Sequence, residues 1–171
     1  MGENSGARPG TGAEFSHVDE SGRARMVDVS AKPPLRRVAV AEGKIFLNPD
    51  TVSKIRSFQI QKGDVLTVAR IAGVLSAKRT PDLIPLCHSL NLDHAEVECY
   101  LEDDGVRIRG TARCTGPTGV EMEALTAVSV AALTVYDMCK AVDSGMRISD
   151  IVLVDKKKET VVFDPGGSRQ S

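Results

Sequence analysis

The chain changes repeatedly between a two-residue and a helical period of hydrophobic positions, and these changes divide it into seven elements. Residues 35–47 (LRRVAVAEGKIFL) are β-branched and interrupted at Glu42-Gly43, which predicts a strand or a bent strand. Asn48-Pro49-Asp50 reads as a helix start, with an Asn cap and Pro at the first helical position. That short helix runs through Thr51, Val52, Ile55 and Phe58. Lys62-Gly63-Asp64 breaks the chain, and Asp64 caps a second helix. Residues 65–77 (VLTVARIAGVLSA) are apolar on most faces and predict a largely buried helix. It stops before Thr80-Pro81, because proline restricts the residue before it.

Residues 95–101 and 106–114 predict a hairpin. Asp104-Gly105 fits a two-residue type I′ turn, a register in which paired positions sum to 209. Val97, Cys99 and Leu101 then share a face with Val106, Ile108, Ala112 and Cys114. Glu96, Glu98 and Glu102 share the other with Arg107, Arg109 and Arg113, so opposed charges support the pairing. Residues 120–142 (VEMEALTAVSVAALTVYDMCKAV) predict a long helix, buried against a sheet or another subunit. Residues 148–163 (ISDIVLVDKKKETVVF) predict a final strand that leaves the core at Asp155-Lys156. Apart from the extra short helix, the order is that of the split βαβ, ferredoxin-like pattern. The expected class is therefore α+β, an antiparallel sheet with helices packed on one face. The Glu/Arg alternation turns the other face toward water or a polar subunit interface.

Composition narrows the functional classes. At 171 residues, with 42% hydrophobic and 26% charged, the chain has the size and content of one domain that buries about 70% of its unfolded surface. The 22 basic and 23 acidic residues nearly cancel, which disfavours a strongly basic nucleic-acid surface. Two Tyr, four Phe and no Trp disfavour single-strand binding by stacking. Residues 1–14 are rich in Gly, Ser, Pro and charge and are expected to be disordered; residues 165–171 (PGGSRQS) are expected to be a flexible tail. A single domain over 15–164 remains. No stretch reads as a bilayer span, and the start, MGENSGARPG, has no apolar run of a secretory signal. Cys87, Cys99, Cys114 and Cys139 form no CxxC pair, which argues against structural zinc and for reduced thiols in the cytoplasm.

Several residues look too polar for their places. Asp137 and Lys140 lie three apart on one helix face, after an almost uniformly apolar run. They are either a surface ion pair where the helix emerges or an acid/base pair whose Lys titrates toward neutrality. Glu121 and Glu123 flank Met122 in the first turn, where the helix dipole alone favours acidic residues. The segment from Arg79 to His88 is framed by Pro81 and Pro85 and ends with a thiol beside an imidazole. Adjacent residues on an extended chain point apart, so Cys87 and His88 do not form a nucleophilic pair, and His88 reads as a ligand contact. His17 and His94 offer no metal-ligand spacing. Arg36-Arg37, Lys62, Lys78-Arg79 and Lys156-Lys157-Lys158 are scattered, and there is no GxxxxGK[ST] loop. Side chains from several elements would hold a polyphosphate instead.

These segments together resemble the MoaC family, the cyclic pyranopterin monophosphate synthases of molybdenum cofactor biosynthesis. The matching strings are Met26-Val27-Asp28-Val29-Ser30, Lys62-Gly63-Asp64-Val65, Ala69-Arg70-Ile71-Ala72-Gly73, Ala77-Lys78-Arg79-Thr80, Asp82-Leu83-Ile84-Pro85-Leu86-Cys87-His88, Thr118-Gly119-Val120-Glu121-Met122-Glu123-Ala124-Leu125-Thr126 and Tyr136-Asp137-Met138-Cys139-Lys140-Ala141. They cover about residues 15–158; Ser89 departs from the Pro expected there. The resemblance implies a ferredoxin-like enzyme assembled as a homo-hexamer, a trimer of dimers, with active sites at subunit interfaces. Its substrate would be (8S)-3′,8-cyclo-7,8-dihydroguanosine 5′-triphosphate, supplied by a radical S-adenosylmethionine GTP cyclase, and its products cyclic pyranopterin monophosphate and pyrophosphate. It implies no required cofactor; Mg2+ is compatible with the pyrophosphate leaving group, although no carboxylate cluster specifies a protein-bound ion. Carried onto this chain, Asp137, Lys140 and Lys156 would be catalytic. Arg37, Lys62, Lys78 and Arg79 would surround the phosphates and sugar, Cys87 and His88 would lie in the substrate loop, and Glu121, Met122 and Glu123 would contact the guanine-derived end. Lys157 and Lys158 would stay in solvent. The competing readings are a non-catalytic nucleotide-binding module and an inactive structural subunit of a larger complex.

Overall fold

The computed structural model describes residues 23–160. Its elements are β1 (Leu35–Phe46), α1 (Pro49–Arg56), α2 (Val65–Ala77), α3 (Thr80–Leu83), β2 (Leu92–Glu102), β3 (Gly105–Gly116), α4 (Glu121–Cys139) and β4 (Arg147–Thr160). The expected tails, 1–14 and 165–171, lie outside the described residues, as do the margins of the expected domain and the last three positions of the expected final strand.

The four strands form one antiparallel sheet in the order β2-β3-β1-β4, so the class is α+β. Odd positions of β1 and even positions of β3 share the core face: Ala39 pairs with Ala112, and Ile45 with Val106, all buried. On that face α4 packs over β1 and β3, and α2 packs over β2 and against α4. The approach of the two helices is close because position 73 is glycine. A Cβ there would lie 2.8 Å from the Ala127 carbonyl oxygen. β1 runs in unbroken register with β3, and its register shifts against β4, on either side of Ala41-Glu42, come from extra residues in β4. The opposite face carries the expected charge ladder. Lys44 Nζ lies 2.7 Å from both Glu102 and Asp104, Arg107 bonds Glu102 at 2.8 Å, and Arg109 pairs with Glu42.

The hairpin register is a correction. Leu101 pairs with Val106 and Glu102 with Gly105, so paired positions sum to 207 and the loop is Asp103-Asp104. Neither aspartate has the positive φ that a type I′ turn requires. Gly105 belongs to the ladder instead: its φ is +152°, and a Cβ would stand 2.0 Å from the Ile45 carbonyl oxygen. The two-residue shift preserves parity, so the predicted faces survive.

Other departures have local causes. Asn48 does not cap α1 with its side chain; its backbone N–H and its amide donate to the buried Asp143 at 2.8 and 2.9 Å. The helix ends before Phe58, whose φ of 56° turns the chain and leaves the ring exposed. The expected burial of α2 is only partial, with Val68, Ile71 and Leu75 exposed. Asp64 caps it as expected, accepting from the Thr67 N–H at 3.0 Å. α3 is a turn not anticipated after Lys78; the buried Thr80 hydroxyl donates to the Ala77 carbonyl at 3.0 Å and ties it to α2. The long helix stops at Cys139, three residues early. By length and composition α4 does pass for a membrane-crossing helix, contrary to the sequence reading, yet 56% of that stretch is buried inside the domain. β4 continues through Asp155-Lys156 to Thr160, opposite Leu35. All four cysteines are free.

Substituting Gly105→Ala forces a Cβ into β1. The expected loss is at least about 1–3 kcal/mol from backbone strain alone. Thermal and denaturant unfolding should move together, and an unchanged midpoint would contradict this account of the turn.

Candidate active site

The N-terminal end of α4 borders a groove. Arg37 sits on the helix-covered face of β1, where its Nε donates to the Gly116 carbonyl at 3.1 Å and its Nη2 to the Pro117 carbonyl at 2.9 Å. Those two bonds fix the guanidinium beside the segment that enters α4. Lys156 and Lys158 of β4 pair with Ala39 and Arg37, so both point to that same face. Lys156 Nζ lies 3.5 Å from Glu121 Oε1. A cavity of about 260 Å³ is lined by Arg37, Glu121, Lys156 and Lys158. A second, also about 260 Å³, is lined by Lys32, Cys87, His88 and Met122. Gly119 and Glu121 line both, which makes them halves of one groove.

His88 is held by the segment before β1: its Nε2 donates to the Val27 carbonyl at 2.7 Å. A carbonyl only accepts, so Nε2 carries a hydrogen and Nδ1 is the atom left for a ligand. Cys87 points the other way, its Sγ donating to Glu123 Oε1 at 3.8 Å. Burial, and then the neighbouring Glu123, push the Cys87 thiol up, which leaves it a poor nucleophile. Burial also pushes the Glu123 carboxyl up. That side chain is 2% exposed and its Oε2 has no hydrogen-bond partner. Positions 121 and 123 stand about 200° apart around a helix, which is why Glu121 faces the groove and Glu123 lies beneath Cys87.

The C-terminal end of α4 carries a different cluster. Lys140 Nζ lies 2.7 Å from Asp137 Oδ1, and Lys62 Nζ lies 2.7 Å from Oδ2. Lys62 also donates to the Asp137 carbonyl at 2.8 Å, where the negative end of the helix dipole favours a cation. The two ammonium groups, Lys140 first, hold Asp137 down at about 2. Asp137 in turn raises Lys140, so the expected shift of this lysine toward neutrality is reversed. The cause is the hydrogen bond and the charge of Asp137, which outweigh the small desolvation of a side chain 58% accessible.

The two ends do not meet within one chain. At 1.5 Å per residue, about 24 Å of helix separates Glu121 from Asp137. α2 runs antiparallel to α4, its Ser76 hydroxyl reaching the Thr126 carbonyl at 3.4 Å. Lys78 and Arg79, both exposed, therefore close the layer at the groove end, while Lys62 stands with Asp137 at the other. Thus the structure gathers Arg37, Cys87, His88, Glu121, Met122 and Lys156 around one groove, with Lys78, Arg79 and Glu123 at the same end. It separates Lys62, Asp137 and Lys140 from them. Sequence reasoning missed Lys32 and left Lys157 and Lys158 in solvent, whereas all three line the groove. The two-residue period of a strand would have grouped Lys158 with Lys156; no periodicity marks Lys32. Among the described residues no group of three His, Cys, Asp or Glu side chains converges to hold a metal.

The lowered pKa of Asp137 fixes a pH window. A carboxylate lowered in the fold contributes its ion pairing above its ordinary value of 3.8, and this is lost as pH falls through about 2. Carbon-detected NMR should place the Asp137 midpoint near 2 and show it rising toward 3.8 in Lys62→Met. A wild-type midpoint near 4 would contradict the cluster.

Comparison with known proteins now bears on these two clusters. The model of the MoaC family matches residues 26–159. A protein named cyclic pyranopterin monophosphate synthase from Heliobacterium modesticaldum is 57% identical over 144 residues, covering 83% of this chain and 91% of the relative. One of the same name from Roseiflexus sp. is 56% identical over 146 residues, covering 84% and 92%. Another, from Peptoclostridium acidaminophilum, is 54% identical over 143 residues, covering 84% and 91%. The matched stretch runs from the segment that holds His88, through both ends of α4, to the lysines of β4, and the chain belongs to the MoaC family.

Proposed function

We propose that this protein is a cyclic pyranopterin monophosphate synthase. It is a lyase that converts (8S)-3′,8-cyclo-7,8-dihydroguanosine 5′-triphosphate to cyclic pyranopterin monophosphate and pyrophosphate in molybdenum cofactor biosynthesis. The observation that carries the reading is a groove walled by Lys32, Arg37, Lys156 and Lys158 on an otherwise charge-balanced chain. Such walls suit a polyphosphate.

The chemistry assigns the roles. Cyclic phosphate formation needs a ribose oxygen to attack the innermost phosphorus while pyrophosphate departs with the electron pair of the broken P–O bond. Cations on the departing oxygens lower that barrier, and Arg37, Lys156 and Lys158, with Lys78 and Arg79 nearby, supply them. Lys156 doubles as a second acid/base. Opening the guanine five-membered ring and closing the pterin ring require several proton transfers. Lys140 begins as an ammonium, the form a general acid needs, with Asp137 and Lys62 orienting it. Glu121 and Met122 grip the guanine-derived end beside Cys87 and His88, and Glu123 backs Cys87 from beneath. Mg2+, if it takes part, travels with the pyrophosphate and needs no protein ligand set.

Because the two clusters stand about 24 Å apart along α4, one active site takes its groove from one copy and its Lys140 from another. The fold is read as ferredoxin-like, on the strand order β2-β3-β1-β4, and the assembly as a hexamer of three dimers. A single domain over 15–164, a cytoplasmic location and a radical S-adenosylmethionine enzyme as supplier complete the reading.

Lys140→Ala should keep the fold and bind substrate within about tenfold of wild type while losing most turnover, as removal of a general acid does. Wild-type turnover in that variant would remove Lys140 from the chemistry. Equal co-expression of Lys140→Ala with Lys156→Ala should restore about a quarter of wild-type activity, because half of randomly formed two-fold pairs are mixed and each mixed pair has one intact site. No recovery in assembled mixtures would place both lysines in one chain's site.

A further inference from the structure

β4 carries three successive lysines, and their surroundings differ. The two-residue period of a strand puts Lys156 and Lys158 on the helix-covered face of the sheet and Lys157 on the other. Lys156 Nζ lies 3.5 Å from Glu121 Oε1, and Lys157 Nζ lies 3.3 Å from Asp155 Oδ2. Both ammonium charges are thus partly balanced within the chain. Arg37, opposite Lys158, gives its Nε and Nη2 to the carbonyls of Gly116 and Pro117. Of these four cations only Lys158 has no side-chain hydrogen bond or ion pair among the described residues. It is exposed and lines the cavity.

The cations also stand in order. Lys156 pairs with Ala39 and Lys158 with Arg37, so Lys158 lies one strand repeat, about 7 Å, beyond Lys156. Glu121 lines both halves of the groove, whereas His88 and Met122 line only one half and Lys156 and Lys158 only the other. Passing out of the His88–Met122 half, a ligand therefore meets Glu121, then Lys156, then Lys158 beside Arg37. A nucleotide with its base end beside His88 and Met122 brings its innermost phosphate to Lys156. A third phosphate reaches Lys158, where no carboxylate competes for the ammonium.

We propose that Lys158 holds the outermost phosphate and makes the groove selective for a nucleoside triphosphate over the corresponding diphosphate. The inference rests on the reading of this groove as the seat of the cyclic nucleotide's phosphates, and it adds the residue that sets their number. With the diphosphate, the same ribose oxygen would attack the same phosphorus. Orthophosphate rather than pyrophosphate would then leave with the electron pair of the P–O bond. Discrimination in binding has to come from a contact to the outermost phosphate itself.

Calorimetry of the full chain with inorganic triphosphate and with pyrophosphate, in magnesium-free buffer, tests the assignment without turnover. Wild type should bind triphosphate about tenfold more tightly than pyrophosphate, the worth of one charge-assisted contact at an exposed position. Lys158→Met should lose that margin, and Lys158→Arg should keep it. Lys54→Met removes the same charge from α1, where Lys54 pairs with Asp50, and should keep it as well. In turnover, the ratio of kcat/KM for the cyclic triphosphate to kcat/KM for its diphosphate should fall about tenfold in Lys158→Met. A wild type without the margin would overturn the assignment, and so would a Lys158→Met protein that keeps it. Loss of the margin in Lys54→Met would assign the effect to net charge instead, and would overturn it too. A protein with the margin, and its loss in Lys158→Met, but no turnover would support Lys158 and defeat the synthase reading. An active protein whose Lys158→Met variant keeps both ratios would do the reverse.

Discussion

A helix of 19 residues without an internal Gly or Pro cannot fold back on itself, and the arrangement of this protein follows from that stiffness. α4 is clamped by burial. Ala124, Ala127, Val128, Ala131, Ala132 and Val135 face the sheet and α2, all at 3% exposure or less. Small side chains on this face, with Gly73 opposite, let the two helices and the sheet close to contact without voids. The ends of α4 are therefore held at a set separation. In the proposed reading a second copy joins the chemistry that the two ends carry.

The two ends are also built in different electrostatic regimes. At the C-terminal end Asp137 lies between two exposed lysines, and its pairing with Lys140 favours the charged form of both groups. At the N-terminal end the walls are cationic, and Glu123 is withdrawn beneath Cys87 into an apolar setting that favours its neutral form. An anionic substrate entering the groove meets fixed positive charge there. In the proposed reading Lys140 of a second copy is the general acid brought over it. The ion pair with Asp137 favours the protonated form of Lys140, and excluding water strengthens such pairs.

Much of this was legible in the sequence, for identifiable reasons. The alternation in 95–114 put each residue that it placed on its correct face, since parity survives a two-residue register error. The register itself was lost because Asp104-Gly105 imitates a turn dipeptide, while the real demand on Gly105 comes from β1, sixty residues earlier in the chain. An apolar composition on most faces identified α2 and predicted its burial, yet composition alone does not tell which apolar positions the fold covers, and Val68, Ile71 and Leu75 stay exposed. The motif around Glu121 and Glu123 was recognised as a unit, whereas helical geometry sends its two carboxylates to opposite sides. The separation of Lys62 from Arg37, Lys78, Arg79 and Lys156 follows from the antiparallel run of α2 and α4, which no local pattern reveals.

The central claim is that one substrate is held by two copies of the chain. The most direct measurement is a crystal structure of the full-length protein with the cyclic guanosine triphosphate bound to an inactive Lys140→Arg variant. The account requires the ligand's phosphates to contact Arg37 and Lys156 of one copy while position 140 of another copy reaches its base. A ligand contacted at positions 37, 140 and 156 by a single chain, or a position 140 remote from the ligand, would contradict it.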